Sequence, residues 1–456
     1  MPAWLEQLLP ILILLVVVAA VVARLPKVQL GHSPAFLRRR LANWLPVGLA
    51  YSFLYFGRYN LNAFKGAVGM SNDAFGTIDF WGALTYGISF VINGPLADRF
   101  GGRATLIAAV AGSAAVNLAM GVMAEGGWKP EQVNTYAFLY ALNMYFQSFG
   151  AVSIVKINAS WFHLRERGTF GGIFGILISM GLYFAYDWGS IIAKNLPTPN
   201  VFYIPAVTLV IMLVWVLAMA RNTPGETGHP DFDTGDAGSG DTGPRKGVLE
   251  VAALMMRNPV IITITAIEFC SGYLRNAVMK WHPVYAKSTG ITDQFVPSNW
   301  GMLLCCAGIL GGMFAGTISD ALFQSRRGPV AVILYSGMLF GAGVVYLTTG
   351  SPILSWTVVF MSLCVIGVHG MLSGTASMDF GGKRNVGLVV GIIDGFVYLG
   401  VAAQAWVLKG VLPDGDAAKD PANWWTWAPA MAPVAAIGLL LSMRVWSARA
   451  TRSTAH

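Results

Sequence analysis

Long apolar runs dominate the chain, and the polar positions fall mostly in short intervals between them. A membrane-spanning helix needs roughly 20 mostly apolar residues. Runs of that length predict spans near 4–24, 44–64, 76–97, 104–124, 134–161, 169–193, 201–220, 260–286, 299–323, 329–349, 353–377, 386–411 and 426–446. The runs are apolar throughout instead of alternating over about ten residues, so they predict helices and not the strands of a membrane barrel. One interval breaks the pattern. Residues 222–247, NTPGETGHPDFDTGDAGSGDTGPRKG, are rich in Gly, Asp, Thr and Pro and predict a flexible tether without chemistry of its own.

Composition narrows the class. Hydrophobic residues make up 55% and charged residues 11%, against about 25% charge in a soluble chain. That excludes a soluble enzyme, a disordered chain and a secreted disulfide scaffold. The expected class is an all-α polytopic membrane protein whose surroundings are the lipid bilayer. The net charge of +8 matters through the loops that carry it and does not mark a nucleic-acid binder. Cys270, Cys305, Cys306 and Cys364 lie in apolar stretches without metal spacing. His282 and His369 have no ligand partner one helical turn away, so neither a metal nor a cofactor is expected. No nucleophile–base pair or nucleotide-cradling Gly loop points to catalysis, so any transport must be driven by gradients.

The loop charges orient the spans. If 25–43 is cytoplasmic and the spans alternate, the cytoplasmic loops hold most of the 30 Lys and Arg. The other side holds only Lys65, Lys129, Lys194, Lys287, Lys409 and Lys419. This places the N-terminus outside and the C-terminus in the cytoplasm, as in a bacterial inner membrane. The first run has its basic residues, Arg24 and Lys27, after it, so a retained helix is expected and not a cleaved signal peptide. NWWTWAP (423–429) fits an interfacial aromatic belt.

The two sides of the tether repeat each other. GPLAD (94–98) returns as GTISD (316–320), Arg58 as Arg275, and Gly168 as Gly387. Internal repeats of this kind mark transporters whose substrate site lies near the midplane between the repeats. The expected organisation is an extra N-terminal transmembrane helix (1–30), a six-helix half (40–221), the linker (222–247) and a second six-helix half (248–450).

GPLADRFGGRATL (94–106), with its degenerate copy GTISDALFQSRRG, resembles the loop between helices 2 and 3 of the major facilitator superfamily. In this light Gly94 permits close helix approach. Asp98, Arg99, Arg103 and Asp320 form helix-end charge clusters that latch the cytoplasmic gate. YFGRYNLNAF (55–64), WFHLRERGTFGG (161–172), GYLRNAVMKWHPVYAK (272–287) and ASMDFGGKRNVGLVVGIIDGFVYLG (376–400) resemble the organophosphate:phosphate antiporters. The resemblance runs from about residue 40 to the end. It implies a major facilitator fold that works as a monomer, with halves that rock to alternate access. It also implies import of a small phosphorylated organic anion in exchange for inorganic phosphate. The family's marks are an arginine in each half and a W-x-P element, here Arg58, Arg275 and Trp281/Pro283. By resemblance both arginines clamp the phosphate. Phe90 stands where bacterial members often carry lysine, and Ile178 where they often carry histidine. The remainder of the pocket therefore departs from the family pattern.

The chemistry of arginine fits this role. A charge at mid-membrane costs about 2.5–3.5 kcal/mol on insertion scales, so an intramembrane arginine is a functional-site candidate. Arg58 and Arg275 both stand roughly 22 Å along their spans at 1.5 Å per residue, hence at similar depth. A guanidinium stays charged and offers a planar fork to phosphate oxygens. Two facing cations should repel until an anion joins them, which favours obligatory exchange. The competing reading pairs each arginine with a buried acid. Lys156 is expected to add positive potential or to snorkel, and Lys280 to snorkel. Tyr55, Tyr59, Asn62, Tyr86, Asn158, Tyr183, Tyr273, His369 and Tyr398 are candidates for pocket hydrogen bonds, with Tyr59, Tyr273 and Tyr398 favoured. Asp187, Glu268 and Asp394 are costly in apolar spans unless paired or protonated, and stand as candidates for charge compensation or proton coupling. They keep open a proton-driven organic-anion carrier. A third alternative is a transporter-like receptor for a sugar phosphate, with the extra helix docking a partner.

Overall fold

A computed structural model of the chain describes residues 3–24, 30–163, 166–232, 234, 250, 253, 256–323 and 326–447. Within these ranges the side chains of 3–10, 21–22, 24, 98, 167–174, 316–317, 320–321 and 373–390 are outside the described set. The gating candidates Asp98 and Asp320 are among them.

The predicted runs fold as helices. They are α1 (Ala3–Arg24), α2 (Pro34–Val68), α3 (Asn72–Phe100), α4 (Gly102–Glu125), α5 (Val133–Trp161), α6 (Arg167–Tyr183), α7 (Gly189–Asn195) and α8 (Asn200–Met219). After the tether come α9 (Pro259–Met279), α10 (Trp281–Ser288), α11 (Trp300–Phe323), α12 (Arg327–Leu347), α13 (Pro352–Val411) and α14 (Trp427–Arg444). Among the described residues, nine helices are long and apolar enough to cross a membrane by length and composition. α2 and α9 fall outside that group because they bury Arg58, Lys65, Glu268 and Arg275 in otherwise apolar stretches.

Local chemistry sets the boundaries. Ser33 Oγ accepts the Phe36 N–H at 3.2 Å, and Pro34 opens α2. Gly69, at φ 63°, ends it in the left-handed conformation that only glycine adopts without strain. α2 has 35 residues, and about 20 span the bilayer core. Its first turns, with Arg38–Arg40, therefore extend beyond the predicted 44–64. The predicted span 169–193 is interrupted by a π-helical turn at Phe184–Trp188. The predicted span 260–286 breaks at Lys280.

The predicted spans 353–377 and 386–411 form one run of helical backbone, α13, of 60 residues. A straight helix of that length would measure about 90 Å. Yet a side chain at Gly350, just before α13, would touch Pro421, ten residues after it. Both ends of α13 therefore lie at one end of the bundle, and the chain reverses between two arms.

Polarity runs from inside to outside. Leu118, Val122, Phe138, Val207, Ile211, Val214 and Phe340 are exposed, whereas Asn60, Asn117, Asn143, Gln147, Arg58 and Glu268 are buried. That distribution suits lipid outside and polar contacts inside. α2–α8 pack mainly with one another, as do α9–α14. α3 against α13 and α6 against α11 join the two groups. The α3–α13 crossing is close because Gly87 and Gly395 face each other. A side chain on either would come within 2.9 Å of the other's carbonyl oxygen. α1 rests on α11 through buried Leu14, while Leu12, Leu15 and Val16 are exposed.

One end of the bundle is basic, with Arg38–Arg40, Arg99, Arg103 and Arg221. At the opposite end the halves are tied together. Asn72 donates its N–H to Asp414 and its amide to the Pro413 carbonyl, both at 2.7 Å. Lys409 bonds Thr77 at 3.0 Å and pairs with Asp73 at 3.1 Å. Asp187 accepts the N–H groups of Gly301 and Met302 at 2.7 and 2.9 Å. The molecule is closed at this end.

The tether expectation needs correction at its start. Residues 222–232 fold onto the beginning of α2. Phe232 packs edge-on to Phe36 with ring centroids 5.6 Å apart, and Gly225 N–H donates to Asp231 at 2.7 Å. His229 also packs edge-on to Phe36, with ring centroids 5.7 Å apart, and Asn222 accepts the Arg103 N–H at 2.9 Å. The rest of the predicted tether, apart from Thr234, lies outside the described residues.

Candidate functional site

The site starts from a pinned stretch of α2. Asn143 and Asn117 both donate to the Gly57 carbonyl, at 2.9 and 3.1 Å, and the Tyr140 hydroxyl donates to the Arg58 carbonyl at 3.1 Å. These bonds hold the backbone from which Arg58 projects. The Arg58 side chain is 1% exposed. Its Nε–H donates to Gln147 at 2.8 Å, one terminal nitrogen to Tyr398 at 2.7 Å and the other to Tyr86 at 2.9 Å. Its guanidinium carbon lies 4.7 Å from the Tyr55 ring centre and 4.5 Å from that of Tyr86. Gln147 is held in turn by Ser113 and Asn143.

Tyr398 comes from α13, in the other half. The Gly87–Gly395 contact brings its ring to 4.0 Å from that of Tyr86, centre to centre. Arg275, buried on α9, stands 5.4 Å from the Tyr398 ring centre, and Arg58 stands 5.8 Å from it. One aromatic ring thus sits within cation–π range of both arginines. Direct repulsion between two facing cations is therefore moderated, because the negative faces of the ring lie next to both. Among the described residues, the Arg275 guanidinium makes no hydrogen bond or ion pair.

A third buried cation stands close by. Lys280 was expected to snorkel; instead it is 3% exposed and pairs with Asp79 on α3. Pairing removes the reason to reach for water. Asn276 donates to Asp79 at 2.9 Å and also bonds Gln404. Asn62 donates to the Lys280 carbonyl, left free where α9 breaks, at 2.9 Å. Lys280 lies 5.4 Å from the Tyr59 ring centre.

The predicted site residues divide. Arg58, Arg275, Tyr398 and Tyr59 come together, Tyr59 by stacking on Tyr55 at 5.7 Å. Tyr273 does not join them: its hydroxyl donates to the Ala430 carbonyl on α14 at 3.1 Å. Two residues along a helix is about 200° around it, so Tyr273 and Arg275 face opposite ways. Lys156 is half-buried on α5, nine residues beyond Gln147 toward the basic end, and is engaged with a neighbouring group. Asp187 caps α11 at the closed end. Glu268 pairs with His369 at 3.0 Å, not with Arg275. Asp394 is half-buried, one turn before Tyr398, and is likewise engaged.

Among the gating candidates, Gly94 is buried in α3, and Arg99 is exposed beside the Phe100 ring. Arg103 ties the start of α4 to the end of α8. Its N–H donates to Asn222 and its guanidinium to the Leu217 carbonyl, both at 2.9 Å. This contact lies within one half. A further pair there, Arg40 and Glu166, forms two parallel bonds of 2.9 and 3.0 Å.

Sequence reasoning missed Gln147 and Asp79. Asp79 was legible as an acid inside a predicted span, which is expensive without a partner.

The family model described as Major Facilitator Superfamily matches residues 47–405. The chain is 24% identical to the membrane sensor protein UhpC of Salmonella typhimurium, covering 90% of this chain and 92% of that protein. It is 25% identical to the glycerol-3-phosphate transporter of Bacillus subtilis, covering 83% and 87%. It is 24% identical to the hexose-6-phosphate:phosphate antiporter of Escherichia coli, covering 89% of each. Its fold matches the crystal structure of a bacterial homolog of the human lysosomal transporter Spinster, with TM-score 0.64 and 13% identity over 91% of this chain and 96% of that one.

Proposed function

The chain belongs to the major facilitator superfamily, a family of membrane transporters and not of enzymes, and on that footing we propose that it carries a phosphate ester across the membrane in exchange for inorganic phosphate. The observation that supports this most is the convergence of Arg58 and Arg275, from equivalent helices of the two halves, on Tyr398. A phosphate entering there meets one guanidinium from each half and can draw the halves together. Relatives named for glycerol 3-phosphate and hexose 6-phosphate support a phosphorylated organic substrate. Gly94, Asp98, Arg99, Arg103 and Asp320 serve the gate at the basic end, which the loop charges assign to the cytoplasm of a bacterial inner membrane. Asp79–Lys280, Asp73–Lys409 and Asn72–Asp414 serve the outer gate, which is shut in this conformation. Rocking about the site opens one gate as the other closes.

The test is exchange in proteoliposomes. Purified protein is reconstituted with unlabelled phosphate inside, and uptake of labelled phosphate is followed with and without an uncoupler. Phosphate esters are then added as competitors. Uncoupler-resistant exchange is expected. Uptake that collapses with the uncoupler would transfer the assignment to a proton-driven carrier. A second reading rests on the relative named as a sensor: a receptor would bind a phosphate ester with little flux, so binding without exchange would decide for it.

A further inference from the structure

Two ionisable side chains of the second half have no part in the reading so far. Glu268 on α9 is completely buried. One of its oxygens lies 3.0 Å from Nδ1 of His369 on α13, and the other has no hydrogen-bond partner. A carboxyl group buried in an apolar bundle is costly, so a pair of this kind calls for a reason. The His369 side chain is 25% exposed. Helical residues are about 100° apart, which puts His369 roughly 180° around α13 from Phe360. Phe360 lies on the outer surface of the bundle, 45% exposed. The open edge of the imidazole therefore faces inward, and with Nδ1 engaged by Glu268 that edge carries Nε2. Among the described residues, Arg275 and Asp394 are the charged groups near enough to act on His369 besides Glu268. Glu268 precedes Arg275 by seven residues, almost in line with it along α9 and about 10 Å away along the axis.

We infer that His369 is a second recognition point, binding the oxygen-bearing end of the ester whose phosphate lies at Arg58 and Arg275, and that Glu268 is its positioning residue. The inference rests on the two-arginine reading. The Glu268–His369 pair sits about two helical turns along α9 from Arg275, an offset that suits the second end of a short ester. The Glu268 carboxyl behind the imidazole fixes the ring, and with its hydroxyl donating to Nδ1 the ring's own proton sits on Nε2, which points outward as a donor. Its partner is a hydroxyl or carboxylate oxygen on the organic part. Inorganic phosphate has no such second end, so the pair sets the preference between ester and phosphate and leaves phosphate binding alone.

The experiment compares two quantities in the same proteoliposomes. One is half-saturation for labelled phosphate exchange. The other is inhibition of that exchange by glycerol 3-phosphate, glucose 6-phosphate and 3-phosphoglycerate, which separate a hydroxyl end from a carboxylate end. His369→Ala is expected to weaken the best competitor about tenfold, the loss of one charge-assisted hydrogen bond, with half-saturation for phosphate unchanged. His369→Gln, which keeps a donor, recovers part of the loss. Glu268→Leu behaves like His369→Ala, and Glu268→Gln, whose amide can still donate to Nδ1, stays closer to wild type. If Glu268→Leu does not fold, the other three variants decide. Unchanged inhibition in His369→Ala, or equal weakening of ester and phosphate, overturns the inference. Wild-type vesicles that exchange no phosphate would defeat the antiport reading by itself. Binding of the same esters and of phosphate to purified protein would then judge His369 by the same criteria.

Discussion

At Arg58 three acceptors on three helices surround one planar cation: Gln147, Tyr86 and Tyr398. Lysine places all its donors on one nitrogen and cannot span them. Arg58→Lys and Arg275→Lys should each cut exchange by about tenfold to a hundredfold while the protein still reaches the membrane, which initial rates in proteoliposomes would check. Near-normal rates in both would end the clamp. Gln147→Leu leaves a charged N–H buried without an acceptor, a loss of about 1–3 kcal/mol. It should lower the thermal midpoint of the purified protein measurably, and an unchanged midpoint would show that Arg58 finds another partner. Both arginines stood out in the sequence because a permanent charge in an apolar run is rare and costly. Gln147 did not, since uncharged polar residues are common between membrane helices. The Asp79–Lys280 pair joins positions 201 apart, and no local pattern signals it. The misplacement of Tyr273 was avoidable, because angular position on a helix is known from numbering alone.

Among the elements, α3 and α13 carry the most. The glycines at their crossing let two backbones meet and so set Tyr86 against Tyr398. A methyl group on Gly87 would press on the Gly395 carbonyl oxygen at 2.8 Å, closer than unstrained side chains come. Gly87→Ala should push the halves apart at this level and shift the carrier away from the conformation described. Slowed exchange together with greater labelling of single cysteines at the outer end would show it; wild-type exchange and labelling would contradict it. Asp79→Leu isolates Lys280 in the interior, which costs about 3–5 kcal/mol. A large fall in the thermal midpoint is expected, with recovery in the double variant Asp79→Leu, Lys280→Met. No recovery would mean that Asp79 has a further role. Helix existence was legible from apolar length, whereas the extension of α2 and the reversal of α13 were not. Polar caps and tertiary contacts decide where a helix ends, and hydropathy does not sense them.

For the whole molecule, the ties between the halves among the described residues concentrate at the end away from the basic loops. Alternating access requires those ties to break in every cycle. Cysteines at Asn72 and Asp414 (Asn72→Cys, Asp414→Cys) should form a disulfide under oxidation and stop exchange, with recovery on reduction. Undiminished exchange by the fully cross-linked protein would mean that this end need not open. The two-half plan was legible from the repeats, because equivalent helices occupy equivalent environments and retain similar residues. Which end is shut was not legible, since one sequence serves both conformations.

The partners of Arg58 carry one more consequence, for affinity. Its N–H groups are already bonded within the protein, one of them to a tyrosine of the opposite half. On the proposed exchange, an arriving phosphate oxygen must displace a hydroxyl that is already hydrogen-bonded, so it gains only the difference between an anionic and a neutral acceptor. Hydrogen bonds to charged groups exceed neutral ones by about 1–2 kcal/mol. A single such swap multiplies affinity by only about five to thirty. The tyrosine hydroxyl stands ready to take the arginine back. Such a site holds its cargo loosely and releases it quickly, as a carrier must to complete many cycles.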